Sequence, residues 1–209
     1  MNKKIIYFIL SLNLLFSQSR DYADFEIITY SNPYPANIFI HSIGIGDSQN
    51  KYMAILDSTL NTYWYVNGNE MGIDFKENNN YISYFNKDVL KWIIADSYMQ
   101  EIDTLQCTQG ITDYHDIRIT NEGNYIIQSY DSLYVDMSQI VEGGHPNALV
   151  KNILRIQELT SDHEILLDWL ALDYLDVANY TNLNLTNNQF SFMHGNSIDI
   201  DEDNNLILS

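Results

Sequence analysis

Two short units alternate along this chain, and their alternation limits what it can fold into more than any single segment does. The first unit is an apolar strand that runs into an acidic or polar turn and then into a second strand, often bearing Trp. It stands at 52–66 (YMAILDSTLNTYWYV), 91–105 (KWIIADSYMQEIDTL) and 153–169 (ILRIQELTSDHEILLDW). A second unit follows each copy, at 71–85 (MGIDFKENNNYISYF), 113–129 (DYHDIRITNEGNYIIQS) and 192–209 (FMHGNSIDIDEDNNLILS). The second unit recurs 44 residues on, from Asn80 to Asn124, and then 81 residues on, at Asn205, the longer step being stretched by insertions around 130–150 and 170–190. A hairpin cannot bury its apolar face alone, so repeated hairpins stack on one another. Two hairpins per roughly forty residues is the period of a four-stranded propeller blade. The expectation is an all-β propeller with about three four-stranded blades, 47–85, 86–129 and 150–209, and an N-terminal strand segment, 20–46, beside the first. Evenly spaced hairpins also suit a β-sandwich; the repeat favours the propeller.

The strands are read from β-branched and aromatic runs such as NIFIHSIG, NYISYF, LKWIIADS and NYIIQSY, punctuated by Asn, Asp and Gly. The turns NN, EGN and DNN of the second unit consist of residues that tolerate positive φ between two strands. Only ALDYLDVANY, 171–180, has helical spacing, with Leu172 and Leu175 on one side.

The first nineteen residues have the layout of a secretory signal: Lys3 and Lys4, an apolar stretch from Ile5 to Phe16, then the small residues Ser17 and Ser19. The stretch is too short to span a bilayer comfortably and no later segment reaches that length, so the mature chain is expected to be exported and free of the membrane. The net charge of −18 becomes −20 once the two leader lysines are gone. So acidic a surface repels phosphate backbones and argues against nucleic acid. Cys107 is the only cysteine, which excludes an intramolecular disulfide and a thiolate zinc site.

Residues with chemical capacity gather in the second unit, just before its strand. The first copy has Met71-Gly72-Ile73-Asp74, the second Tyr114-His115-Asp116, the third Met193-His194-Gly195-Asn196. In a propeller, equivalent ends of successive blades converge on one axial pocket, so His115, His194 and Asn196 are expected to meet there. Two imidazoles and an amide suit anion binding, proton relay or a covalent adduct. For either histidine alone, a hydrogen-bonded structural role at a blade turn is the commoner one. His41, His145 and His163 are read as surface or structural, and Trp64, Trp92 and Trp169 as core. DIDEDN, 199–204, spaces acids like the start of a calcium loop, but Asn204 replaces the glycine and a strand-connecting turn fits the parallel copies better.

DYHDIRITNEGNYIIQSYD followed by HGNSIDIDEDNNLILS resembles the arylsulfotransferase family of secreted bacterial enzymes, and AILDSTLNTYWY and IQELTSDHEILLDW fit that family's blade pattern. The likeness covers about residues 27–209, and its most specific element is His-x-Asn-Ser before an acidic turn and a strand. It implies a six-bladed propeller that moves a sulfuryl group from an aryl sulfate to a phenol through a transiently sulfated histidine, with no cofactor. His194 and Asn196 match the family's active-site pair and His115 an earlier active-site histidine, which together would polarise the sulfuryl and phenolic oxygens. The family's arginine and its sulfated histidine fall beyond residue 209. The resemblance therefore implies the N-terminal half of a longer periplasmic or secreted enzyme, inactive by itself, whose partners are small aryl sulfates and phenols; a homo-oligomer is compatible with it. The competing class is a secreted, non-catalytic propeller that binds a partner.

Overall fold

The computed structural model describes residues 28–29, 31–32, 34–42, 52–67, 71–180 and 182–209; the leader expected over 1–19 lies outside them. Strand makes up 52% and helix 6% of the described residues, so the architecture is all-β. Four antiparallel sheets follow one another in sequence. The first holds β1 (Ile38–Ser42), β2 (Tyr52–Leu56) and β3 (Thr62–Asn67). The second is the meander β4 (Met71–Asn78), β5 (Tyr81–Asn86), β6 (Lys91–Ala95) and β7 (Glu101–Leu105). The third is the meander β8 (Ile111–Ile119), β9 (Tyr125–Val135), β10 (Ala148–Leu159) and β11 (Ile165–Leu170), with the short β12 (Gln189–Ser191) parallel to β10. The fourth is the pair β13 (Ile198–Ile200) and β14 (Leu206–Leu208).

Two sequence expectations change. The second and third sheets each open with the second unit and close with the first, one hairpin out of phase with the expected blades 47–85, 86–129 and 150–209; after β1 the first sheet holds only the first unit, and the fourth sheet holds only the second. The repeat reveals which hairpins exist, but only the ladder between them, such as β5 against β6, decides which two share a sheet. The helix expected over 171–180 is a single turn, α1 (Ala171–Tyr174), followed by a 3-10 turn at Val177–Asn179. Leu175 is extended between them and the Asp176 carboxylate caps Ala178 N–H, an alternative partner that breaks the helical ladder. The stretch at 130–150 is mainly the prolonged end of the β9–β10 hairpin, and β1, which contains His41, pairs with β2 inside the first sheet.

Five hairpins turn in one way. Asp57, Asp96, Thr120, Thr160 and Asp201 each receive the backbone N–H three residues on and give their own N–H to the carbonyl four residues on. In each, the side-chain oxygen also accepts a backbone N–H four residues on. The residue at the third position is left-handed every time: Leu60, Met99, Gly123, His163 and Asn204, with φ of 67, 62, 84, 65 and 63°. This is the three-residue hairpin loop with a left-handed closing residue. The Asp201 carboxylate, committed to Asp203 N–H, Asn205 N–H and the Asn205 amide, is a turn brace, as the repeat had suggested against a calcium loop.

Packing follows from alternation. Trp92 and Ile94 of β6 point to one side, Ile93 and Ala95 to the other, and all four are buried. The first pair joins Phe85, Leu105, Ile117, Ile119, Tyr125 and Ile127 between the second and third sheets; the other joins Met53, Ile55, Phe75 and Tyr84 between the first and second. A third layer, from Ile126 through Ile153 and Ile156 to Ile198, lies between the third and fourth. The second and third sheets are thus apolar on both faces, which is not the one-faced packing of a two-sheet sandwich. Each fully buried large side chain contributes about 1.5–3 kcal/mol. The opening strands meet in series, β1 on β4, β4 on β8 and β8 on β13.

Candidate functional site

The site grows from a break in the β8–β9 ladder. Thr112 pairs with Ser129 and Ile117 with Ile127, so the four residues Asp113, Tyr114, His115 and Asp116 stand opposite Gln128 alone. Extra residues in one strand must be extruded from the pleat, and such bulges re-aim side chains. The extruded segment is braced from three sides. From the second sheet, the Trp92 indole N–H donates to the Asp113 carbonyl at 3.0 Å, and Lys76 forms a short ion pair with Asp116. From within β8, Asp116 accepts Ile117 N–H at 2.8 Å; from the fourth sheet it accepts Ile198 N–H at 2.7 Å. Arg118 Nε adds a bond to the Ile198 carbonyl at 2.5 Å. Asp116, buried with every contact structural, is the joint that holds β4, β8 and β13 together.

His115 is partly exposed and its Nδ1 lies 2.7 Å from Asp113 Oδ2; its backbone N–H donates to the same oxygen at 3.0 Å. His194 arrives from the segment that leads into β13. The two imidazole centroids are 4.7 Å apart, edge to face at 78°. Tyr114 stacks on His115 at 4.4 Å and Tyr130 of β9 lies 6.3 Å from His194. The Tyr130 hydroxyl accepts Gly195 N–H at 2.8 Å and lies 3.2 Å from the Gly195 carbonyl, which fixes the residue between His194 and Asn196. Gly195 has to be glycine: a Cβ there would come within 2.7 Å of Gln128 Oε1 and 3.0 Å of Leu154 Cδ1.

The structure brings the His115 and His194 rings to 4.7 Å from each other. Counting back from the two hairpins, where Ile119 faces Tyr125 and Ile200 faces Leu206, His115 corresponds to Asn196 and Asp113 to His194. The histidines meet because the β8 bulge extrudes His115, not because they hold the same repeat position. Asn196 is exposed, and its N–H donates to the Ser209 carbonyl at 2.6 Å.

Asp113, Gln128 and Tyr130 were not singled out from the sequence. Gln128 is fully buried in the run YIIQSY, and a long polar residue directly after Tyr-Ile-Ile in a two-faced strand is the signal that could have pointed to it. The other histidines are elsewhere: His163 holds a turn and pairs with Asp103 at 3.0 Å, while His145 accepts Asn147 N–H. Trp92 is core, whereas Trp169 lines an apolar cavity of about 260 Å³ with Ile156, Leu167, Leu206 and Leu208. Cys107 is buried and its thiol is pushed up to about 12 by that burial, so it is inert. Among the described residues no group of three or more His, Cys, Asp and Glu side chains is placed to hold a metal ion, and no helix is long and apolar enough to cross a membrane.

No protein-family model, no curated protein and no solved structure matches this chain.

Proposed function

We propose that the four sheets are successive blades of a β-propeller and that the protein transfers sulfuryl groups from aryl sulfate esters to phenols outside the cytoplasm. The observation that carries the reading is the meeting of two imidazoles from successive sheets, 4.7 Å apart at the opening of β8. Sheets apolar on both faces and opening strands in serial contact are what blades round an axis require. Sulfuryl transfer spreads negative charge over non-bridging oxygens, and fixed donors aimed at them lower the barrier. In this reading His194 and Asn196 serve as those donors. His115 acts at the phenolic oxygen, as general acid to the leaving phenolate and as general base to the incoming phenol. The charge of the neighbouring carboxylates is partly offset, since Asp116 pairs with Lys76 and Asp113 Oδ2 faces three donors. In this reading the sulfated histidine is a group other than His115 and His194.

The test uses 4-nitrophenyl sulfate as donor and phenol as acceptor, with the protein continued through whatever its reading frame encodes after Ser209. Release of nitrophenol that depends on phenol, and that His194→Ala abolishes, is the expected result. Turnover unchanged by His194→Ala removes that residue from the mechanism. Absence of any transfer leaves the binding propeller as the function.

A further inference from the structure

We propose that Asp113 is a positioning residue that holds His115 with its proton on Nδ1, so that Nε2 is the nitrogen presented to substrate. The inference deepens the sulfuryl-transfer reading, although its structural core does not depend on that reading. Asp113 Oδ2 receives three groups: His115 N–H at 3.0 Å, His115 Nδ1 at 2.7 Å and the Gln128 amide Nε2 at 2.6 Å. The first and last can only donate, so the oxygen they share is a carboxylate acceptor. An acceptor obliges Nδ1 to carry the proton. That is the minor form of free imidazole, so the protein has to impose it.

Gln128 shows that the arrangement is enforced. Its Nε2 also lies 3.2 Å from the Gly195 carbonyl, and reversing the amide would set an oxygen against two acceptors. In the orientation this dictates, Gln128 Oε1 is buried with no hydrogen-bond partner. An orphaned buried acceptor costs stability, and native folds tolerate one chiefly where it serves a purpose. Here it locks Asp113, and through Gly195 it ties His115 to the segment that carries His194. The chain of contacts runs from His115 through Asp113 and Gln128, the bulge and the single residue opposite, to Gly195 in the approach to β13.

The groups around His115 support this assignment. Those in contact are Asp113, which bonds Nδ1, Tyr114, stacked at 4.4 Å, and His194, edge to face at 4.7 Å; Asp116 follows next in β8. Lys76 is engaged by Asp74 and Asp116, and Asp113 alone of the carboxylates bonds the imidazole.

The experiment is nitrogen-15 NMR of labelled histidine in the wild-type protein and in Asp113→Ala and Asp113→Asn, in mildly alkaline buffer where imidazole is neutral, alongside the aryl sulfate assay. The wild type should show a pyrrole-type Nδ1 and a pyridine-type Nε2 for His115. Asp113→Ala should return it mainly to the Nε2–H form and lower kcat about a hundredfold with KM nearly unchanged. Asp113→Asn, whose amide oxygen can accept the same donors, should keep the wild-type tautomer. A wild-type spectrum with the proton on Nε2 overturns the proposal even if Asp113→Ala does not fold, and so does a tautomer that Asp113→Ala leaves in place. An Nδ1–H spectrum without sulfuryl transfer removes the enzymatic reading and leaves the positioning role standing.

Discussion

β4 and β8 open successive sheets and lie against each other, and both lose register with their partner at the same stage of the strand. In β4 the excess is split in two, Asp74 and Phe75 opposing Tyr84 and Gly72 falling between Met71 and Ile73 with no residue opposite; in β8 four residues oppose Gln128 at one place, three too many. The smaller excess is absorbed locally. Asp74 turns left-handed at φ 53° and Phe75 drops into the core, where it meets Phe39 and Tyr84 edge-on at 5.1 and 6.2 Å. The larger excess cannot be swallowed, so the backbone bows out and carries His115 with it. The comparison teaches that the repeat supplies a common weak point and that the number of inserted residues decides whether it becomes packing or a site.

Removing a brace from the larger bulge should have the greatest effect. Trp92→Ala deletes a fully buried indole and the bond to the Asp113 carbonyl; a loss of about 3–5 kcal/mol is expected in urea unfolding. Trp92→Phe should recover most of the stability but not the His115 tautomer in the NMR spectrum, which would separate packing from aiming. If Trp92→Phe leaves the tautomer intact, the indole bond does not hold the bulge.

Asp116→Ala breaks the joint shared by both strands, leaving Ile198 N–H without its acceptor and Lys76 with Asp74 alone. The expected cost is about 2–3 kcal/mol, below that of a fully enclosed pair because Lys76 is a quarter exposed. An unchanged midpoint would mean that β4, β8 and β13 are held by their apolar contacts alone.

Asp74 sharpens the comparison through pH. Burial, only partly offset by Lys76, raises its carboxyl to about 6. The folded state then holds the proton more tightly than the unfolded chain, so the penalty is absent below about pH 4 and complete above about pH 6. Asp74→Asn keeps a side chain that tolerates left-handed backbone. It should therefore stabilise the protein by about 2 kcal/mol at pH 7 and by almost nothing at pH 4, as read from urea midpoints. Equal gains at both pH values would assign the effect to something other than the buried charge.

The smallest effect isolates the turn that follows the larger bulge. A Cβ on Gly123 would meet nothing within 4 Å, so Gly123→Ala tests only the φ of 84°. A loss of about 1 kcal/mol is expected from thermal unfolding; a null result would mean that this turn adapts its backbone freely.

Hairpins, their turns and the all-β class were legible in the residues, because the alternation of YMAIL or KWIIA and the Asp-x-x-Asn type turns act over a few residues. His115 and His194 were legible as a pair for the same reason: each precedes a recognisable strand. What the chain alone could not disclose was which hairpins share a sheet, since any two apolar hairpins satisfy the same pattern and only the ladder chooses. Nor could it disclose the one-turn helix at 171–174, where Asp176 bonds locally in place of a ladder the periodicity favoured. Above all, the sequence DYHD does not say that it faces one residue instead of four. Local sequence determined that β8 would be a strand with polar residues at its start; the tertiary structure, by pairing Thr112 and Ile117 with partners only two apart, decided that His115 would be pushed out to meet His194. The reason is physical: side-chain pattern sets which face is buried, but backbone pairing across strands sets how much chain must fit into a given length of sheet.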